Sequence, residues 1–187
     1  MTTLGWVGII AGVLVLAIIL WYISTANTLI RKKNNIEEAF STMDVQMKER
    51  YDLVPNLVET VKGYMKHEKD TLTGVIDCRN KALSATTMEE KAKAEGELSS
   101  IVSRLLALTE NYPDLKANTN FLDLQNQLTN IEAKIANSRK YYNACVKDFN
   151  NLVMLFPSSI VARRKGYKKE VFFEISEAER KNVKVQF

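Results

Sequence analysis

A chain of 187 residues with a net charge of +4, seven glycines, three prolines and two cysteines has little turn punctuation and no disulfide framework. Such a composition excludes a small disulfide-stapled scaffold and disfavours a sandwich of many short strands. The charge surplus lies at the C-terminal end, where the stretch from Arg163 onward carries eight basic and four acidic residues and the remainder is neutral.

Leu4 to Ile23 is an unbroken run of uncharged, mostly apolar side chains. At about 1.5 Å rise per residue, some twenty residues match a hydrocarbon core of roughly 30 Å. Met1 to Leu4 carries no Lys or Arg, and the run exceeds the roughly 7–15 apolar residues of a cleaved signal. Ser24-Thr25-Ala26 is a weak cleavage-site pattern, so removal is the competing reading. Trp6 near one end and Trp21-Tyr22 near the other suit the membrane–water boundary. Arg31, Lys32 and Lys33 follow the span, and the positive-inside bias then places the rest of the chain on the cytoplasmic side of a cell membrane. Gly8 and Gly12 form a GxxxG pair, which either lets two membrane helices approach closely or is ordinary span glycine.

From Ile36 the apolar residues recur at spacings of three and four, through Phe40, Met43, Met47, Val54, Val61 and Leu72 to Leu83. That is one stripe of a long helix. Pro55 lies inside it and predicts a kink or break, and Gly63 is a second weak point. Thr87 and Glu90 form a capping box that starts the next helix, which runs to about Asn111 before Pro113. Asn118 is the expected N-cap of a further helix from Phe121 to Phe156, closed by Pro157. Cys145 falls at helical spacing with Tyr142 and Phe149 and reads as a buried small hydrophobe. Short links between long amphipathic helices make antiparallel neighbours. The expected fold is all-α: a transmembrane helix, then an up-and-down bundle of three rods, or four if the first is broken near Pro55 or Gly63. The expected divisions are an anchor over residues 1–25, a bundle over 26–157 and a basic tail over 158–187 packing on the bundle.

In that tail, residues 158–162 suit a short turn of helix, and Val171-Phe172-Phe173 is apolar enough to pack on the bundle. Val183, Val185 and Phe187 alternate like a strand without an evident partner. Arg163, Arg164, Lys165, Lys168 and Lys169 are candidates for anionic lipid head groups, at about 1 kcal/mol per residue near the surface, or else form a solvated face. Nucleic acid is not an expected partner, because the basic residues are not interleaved with stacking aromatics over a wide surface.

Asp44, Arg50, Asn56, Arg79, Arg104, Arg139, Asn143 and Asn150 fall on or beside the apolar stripes. A buried polar group costs about 1–3 kcal/mol without a partner. Such residues therefore either pair across the bundle and fix its helices in place, or line a polar pocket for a ligand. No catalytic constellation is evident. His67 is the single histidine, Cys78 lies eleven residues further on, and no GxSxG, HExxH or phosphate-binding glycine loop occurs. The cysteines show no zinc-ligand spacing, so neither a metal nor a cofactor is expected.

The stretch RYDLVPNLVETVKGYMKHE, Arg50 to Glu68, resembles the signature of the LemA family of bacterial membrane proteins. The likeness extends to YPDLKAN (Tyr112 to Asn118), SRKYYN (Ser138 to Asn143), the pair Phe156-Pro157, and to Asp44, Gln46 and Arg79. Phe40 stands where many members carry Trp. The resemblance implies a bacterial source and a membrane helix followed by an antiparallel bundle usually described as four-helical. It supplies no activity and no catalytic residues to carry over. The functional expectation is a single-pass, non-enzymatic assembly or interaction module, its partners being the bilayer and another protein or a second copy. A ligand-binding or sensory bundle is the alternative.

Overall fold

A computed structural model describes residues 3–65 and 67–174. Among them the chain forms six helices and no strand: α1 (Thr3–Lys62), α2 (Lys69–Ser84), α3 (Met88–Thr109), α4 (Pro113–Lys116), α5 (Thr119–Met154) and α6 (Ser158–Arg164). The expected all-α bundle is therefore the observed fold. The chain clusters into two units, one of Met1–Ala39 with Tyr141–Val171, the other of Phe40–Lys140 with the chain from Phe172 on.

The second unit is a four-helix bundle built from α1 after Phe40, α2, α3 and α5 up to Lys140. Its directions follow from paired side chains. Asp44 and Arg50 of α1 meet Lys91 and Ser99 of α3, in the same order along both helices, so these two run parallel. Glu49 of α1 and Tyr64 of the turn after it meet Lys134 of α5 and its capping residue Asn118, in opposite order, so α5 runs antiparallel to α1. Helix α2 packs on α3 and is tied to α1 through Arg79. Gly74 on α2 lets α3 come close, for a Cβ there would lie 2.8 Å from Ile101 Cδ1. The buried core includes Met43, Met47, Val54, Leu57, Val75, Leu98, Leu105 and Phe121.

The starts and stops follow local chemistry. Thr87 Oγ1 accepts from the Glu90 amide at 3.1 Å while the Glu90 carboxylate accepts from the Thr87 amide at 3.1 Å, a complete capping box. Asn118 Oδ1 caps α5 by accepting from the Phe121 amide at 3.0 Å. The link between α3 and α5 holds an unexpected short helix, α4, with Pro113 at its first position and Leu115 buried.

Pro55 does not break α1. The helix runs through it and ends at Lys62, with the turn following at Gly63 and Tyr64. Proline at position 55 cannot donate to the carbonyl of Tyr51, four residues earlier. Arg79 of α2 supplies the missing donor, its Nε lying 2.7 Å from the Tyr51 oxygen. The fourth rod thus arises at Gly63 alone.

In the first unit α1 and the end of α5 run side by side, tied by Lys32–Asp148 at 2.7 Å, and Lys33 reaches Glu170 at 2.6 Å. Leu29, Ile36, Ala39, Tyr142, Cys145 and Phe149 are buried, so Cys145 is the small core hydrophobe expected. Helix α6 reaches two residues beyond the expected turn, to Arg164, and ends at Gly166 with φ +76°. The Tyr167 amide donates to the Ala162 carbonyl at 3.0 Å and the Gly166 amide to Arg163 at 3.1 Å, the pattern of a Schellman cap. Tyr167 then meets Phe149 edge-on, centroids 5.6 Å apart. Asn150 holds the segment that follows. Its Nδ2 donates to the Glu170 carbonyl at 2.9 Å and its Oδ1 accepts from the Glu170 amide at 2.8 Å. Of the apolar trio expected to pack, Phe173 is buried, while Val171 and Phe172 remain largely exposed. The alternating end from Val183 to Phe187 lies outside the described residues.

Candidate functional site

The polar centre of the four-helix unit is built on Arg50. Its side chain is wholly buried, on an α1 face otherwise lined by Met43, Met47, Val54 and Leu57. One Nη donates to Ser99 Oγ at 2.7 Å and to Glu132 Oε1 at 2.5 Å. The other donates to Glu95, whose second oxygen accepts from the Tyr51 hydroxyl. One guanidinium thus joins α1, α3 and α5. Burial and the neighbouring Glu132 charge push the Glu95 carboxyl above its ordinary value, against the opposing pull of Arg50. Burial also raises the Tyr51 hydroxyl, and the Glu95 charge adds to it. Two buried atoms have no hydrogen-bond partner among the described residues: Arg50 Nε and Gln46 Oε1, one helical turn apart on α1.

Beside this centre lies a recess of about 120 Å³, lined by Glu95, Ser99, Glu132, Ile135, Arg139 and Phe173. It presents carboxylate, hydroxyl and guanidinium groups next to apolar carbon. Another α1–α3 link stands one and a half turns before Arg50. Asp44 accepts from Lys91 at 2.6 Å and pairs with Lys48 at 2.9 Å, while Lys91 sits 5.0 Å from the centre of the Phe40 ring. An aromatic face at position 40, Phe or Trp, therefore has a cation to receive. Partial burial works against ionisation of Asp44, but the hydrogen bonds from Lys91 and Lys48 outweigh it and hold the carboxyl below its ordinary value.

The sequence-predicted seam divides accordingly. Asp44, Arg50, Arg79 and Arg139 belong to the four-helix unit, each with a polar role or a place in the recess. Asn143 is half-buried in the other unit, where the buried Asn150 clamps Glu170. Asn56 and Arg104 are not in the seam, since both are exposed. Asn56 lies between the buried pairs Tyr51/Val54 and Leu57/Val58 in number but points away from them, because each residue advances the helix by about 100°. The partners Glu95, Ser99 and Glu132 escaped sequence reasoning. They lie on the same faces as Ala92, Leu98 and Ile135, and a polar residue inside each stripe was the available signal.

His67 stands exposed on the turn before α2. Both cysteines are free thiols, and partial burial pushes Cys78 above its ordinary value. Among the described residues no group of three or more His, Cys, Asp or Glu side chains could hold a metal ion.

Toward the N-terminus α1 carries a stretch long and apolar enough to cross a membrane, none of it buried within the chain. Gly8 and Gly12 lie there with open space around the positions a Cβ would take. The basic residues Arg163, Arg164, Lys165, Lys168 and Lys169 are all exposed.

Comparison with known proteins bears on this architecture. The family model for the LemA family matches residues 39–187. The chain belongs to the LemA family. Among its curated relatives is Protein LemA of Metamycoplasma hominis, 28% identical over 164 residues, covering 87% of this chain and 74% of that protein. Magnetosome protein MamQ 2 of Paramagnetospirillum magneticum is 22% identical over 186 residues, covering 86% of this chain and 68% of the relative. Magnetosome protein MamQ of Magnetospirillum gryphiswaldense is 21% identical over 159 residues, covering 71% and 58%. In this LemA-family chain the match begins at Ala39, after the apolar stretch, and takes in the whole Arg50 network.

Proposed function

We propose that this protein is a single-pass membrane protein whose helical bundle serves as a non-enzymatic assembly or interaction module on the cytoplasmic side of a bacterial cell membrane. The observation that carries this reading is the Arg50 network. Apart from Arg50 Nε, its charged and hydroxyl groups pair with one another across three helices, as in a structural tie rather than a site that presents reactive groups to substrate. The Cys78 thiol, raised by burial, is a poor nucleophile near neutral pH, and His67 stands on an exposed turn.

Chemical crosslinking of the full chain in intact bacteria tests it. A higher-mass species containing the chain is expected. It should disappear when an exposed apolar position of the bundle is altered, tested separately as Val45→Glu and as Leu122→Glu, while circular dichroism is unchanged. Absence of any crosslinked species, with itself or another protein, counts against the module. Sidedness is read separately from protease cleavage of the bundle in intact and permeabilised cells.

One observation favours a second reading, a ligand-binding or sensory bundle. The recess sets Glu95, Ser99, Glu132 and Arg139 against a mainly apolar lining, and three of these residues border or bind the buried Arg50, whose Nε has no partner among the described residues. A small polar ligand that raises the melting temperature of the full chain, and does so less in Arg139→Ala, would select this reading.

A further inference from the structure

The face around α6 combines exposure, apolarity and positive charge. Phe156 is 81% exposed, Leu155 60% and Ile160 55%, although the other side of α6 is closed by buried Val161 and Ala162. Arg163 and Arg164 lie three and four residues after Ile160 and so border its face of the helix. With Phe156 and Ser159 they line a shallow hollow of about 450 Å³. A water-soluble surface has no evident reason to hold a phenyl ring out in this way.

The register within this unit says what meets the face. Lys32 of α1 pairs with Asp148 of α5, and the two helices run in opposite directions. Leu155 lies seven residues beyond Asp148, about 10 Å along the axis. The same distance from Lys32 back along α1 reaches Thr25, just past the end of the apolar run Leu4–Ile23. Burial agrees: residues 5–21 of α1 are exposed throughout, and packing begins at Tyr22, Thr25 and Ala26. The tip formed by Leu155, Phe156 and α6 is therefore level with the place where α1 would leave the hydrocarbon.

We infer that this tip is a second membrane contact: Leu155, Phe156 and Ile160 enter the interface of the bilayer that α1 crosses, and Arg163 and Arg164 bind its anionic head groups. Arginine stems can lie along apolar surface while their guanidinium ends stay among phosphates. The contact would fix the rotation of the unit about α1, which a lone span leaves free. It goes beyond the proposed interaction role and does not depend on it, resting only on insertion of α1.

The test uses tryptophan quenching in the full chain, reconstituted in vesicles of phosphatidylcholine and phosphatidylglycerol. The two native tryptophans, Trp6 and Trp21, lie in or at the end of the span, so Trp6→Phe with Trp21→Phe gives a tryptophan-free background. Phe156→Trp in that background should lose about half its emission or more when brominated acyl chains replace ordinary ones, because an interfacial apolar face sits roughly 5–10 Å into the boundary. Lys147→Trp, about 12 Å further from the boundary along α5, should be unaffected. Arg163→Glu with Arg164→Glu should weaken quenching at position 156, as should removal of the anionic lipid. Emission at 156 that ignores brominated lipid overturns the inference, whether acrylamide reaches it freely, which puts the tip in water, or does not, which puts a protein over it. Trp21 alone, in Trp6→Phe, reports insertion of the span independently. An unquenched Trp21 would overturn both the anchor and the second contact, and a quenched Trp21 beside an unquenched position 156 would overturn the contact alone.

Discussion

Arg79 donates through Nε to the carbonyl of Tyr51, the oxygen that Pro55 leaves without its helical donor. The pair explains how a 60-residue helix passes a proline without ending. A side chain on α2 replaces a backbone group of α1 and ties the two helices together at that point.

Replacing Arg79 by Met should leave that carbonyl unpaired and cost about 1–3 kcal/mol. Pro55→Ala restores a backbone N–H at position 55, so the same Arg79→Met change should cost less in the alanine background, by about 1 kcal/mol. Chemical denaturation of the four proteins in detergent measures the coupling. Strictly additive effects would mean that the arginine is not compensating for the proline.

Removal of the cation at position 50 should be far more damaging. Arg50→Met leaves the buried Glu95 facing an apolar group, and breaking a buried pair in this way costs about 3–5 kcal/mol. Arg50→Met combined with Glu95→Leu should recover much of that loss, because the buried charge is gone and Glu132, 38% exposed, can be hydrated. Melting temperatures of the two variants against the parent decide it.

The two buried-side acids give opposite pH dependence. Asp44 holds its proton less tightly in the folded chain, so the unfolded state binds more protons and stability rises with pH. Its contribution is full above the ordinary value of 3.8 and is lost as pH falls through the lowered folded value. Glu95 holds its proton more tightly when folded. Its contribution is full below the ordinary value of 4.5 and is lost as pH rises through the raised folded value. Asp44→Asn should remove the first slope and Glu95→Gln the second, as read from denaturation midpoints across acid pH.

Asn150→Leu should strip both hydrogen bonds from the Glu170 backbone, at roughly 1–3 kcal/mol. Hydrogen exchange would rise at the Glu170 amide and leave the capped starts of α3 and α5 unchanged. Gly166→Ala should cost about 1 kcal/mol, since a side chain at φ +76° is strained.

What could be read from the chain is what neighbouring residues decide. Thr87 and Glu90 lie three apart and form their cap by themselves, as do Asn118 and Phe121. The fate of Pro55 could not be read, because its remedy is Arg79, on another helix and 28 residues from the Tyr51 carbonyl that it satisfies. Arg50 was visible as an intruder on an apolar stripe. Its partners lie 45, 49 and 82 residues on, and only the folded bundle selects them. Asn56 looked equivalent to Arg50 by spacing, yet the helical turn sends it to solvent. The exposed ring at Phe156 is a matter of level along α1, a quantity that no local pattern contains.

A guanidinium sealed at position 50 also polices misassembly. A chain threaded with α3 slipped by one turn, or with a helix borrowed from a neighbouring copy out of step, would set Lys91 or Ser99 where Glu95 belongs and strand a full cation in hydrocarbon. Breaking such a pair costs about 3–5 kcal/mol, a penalty against any threading that does not seat Glu95 beside Arg50.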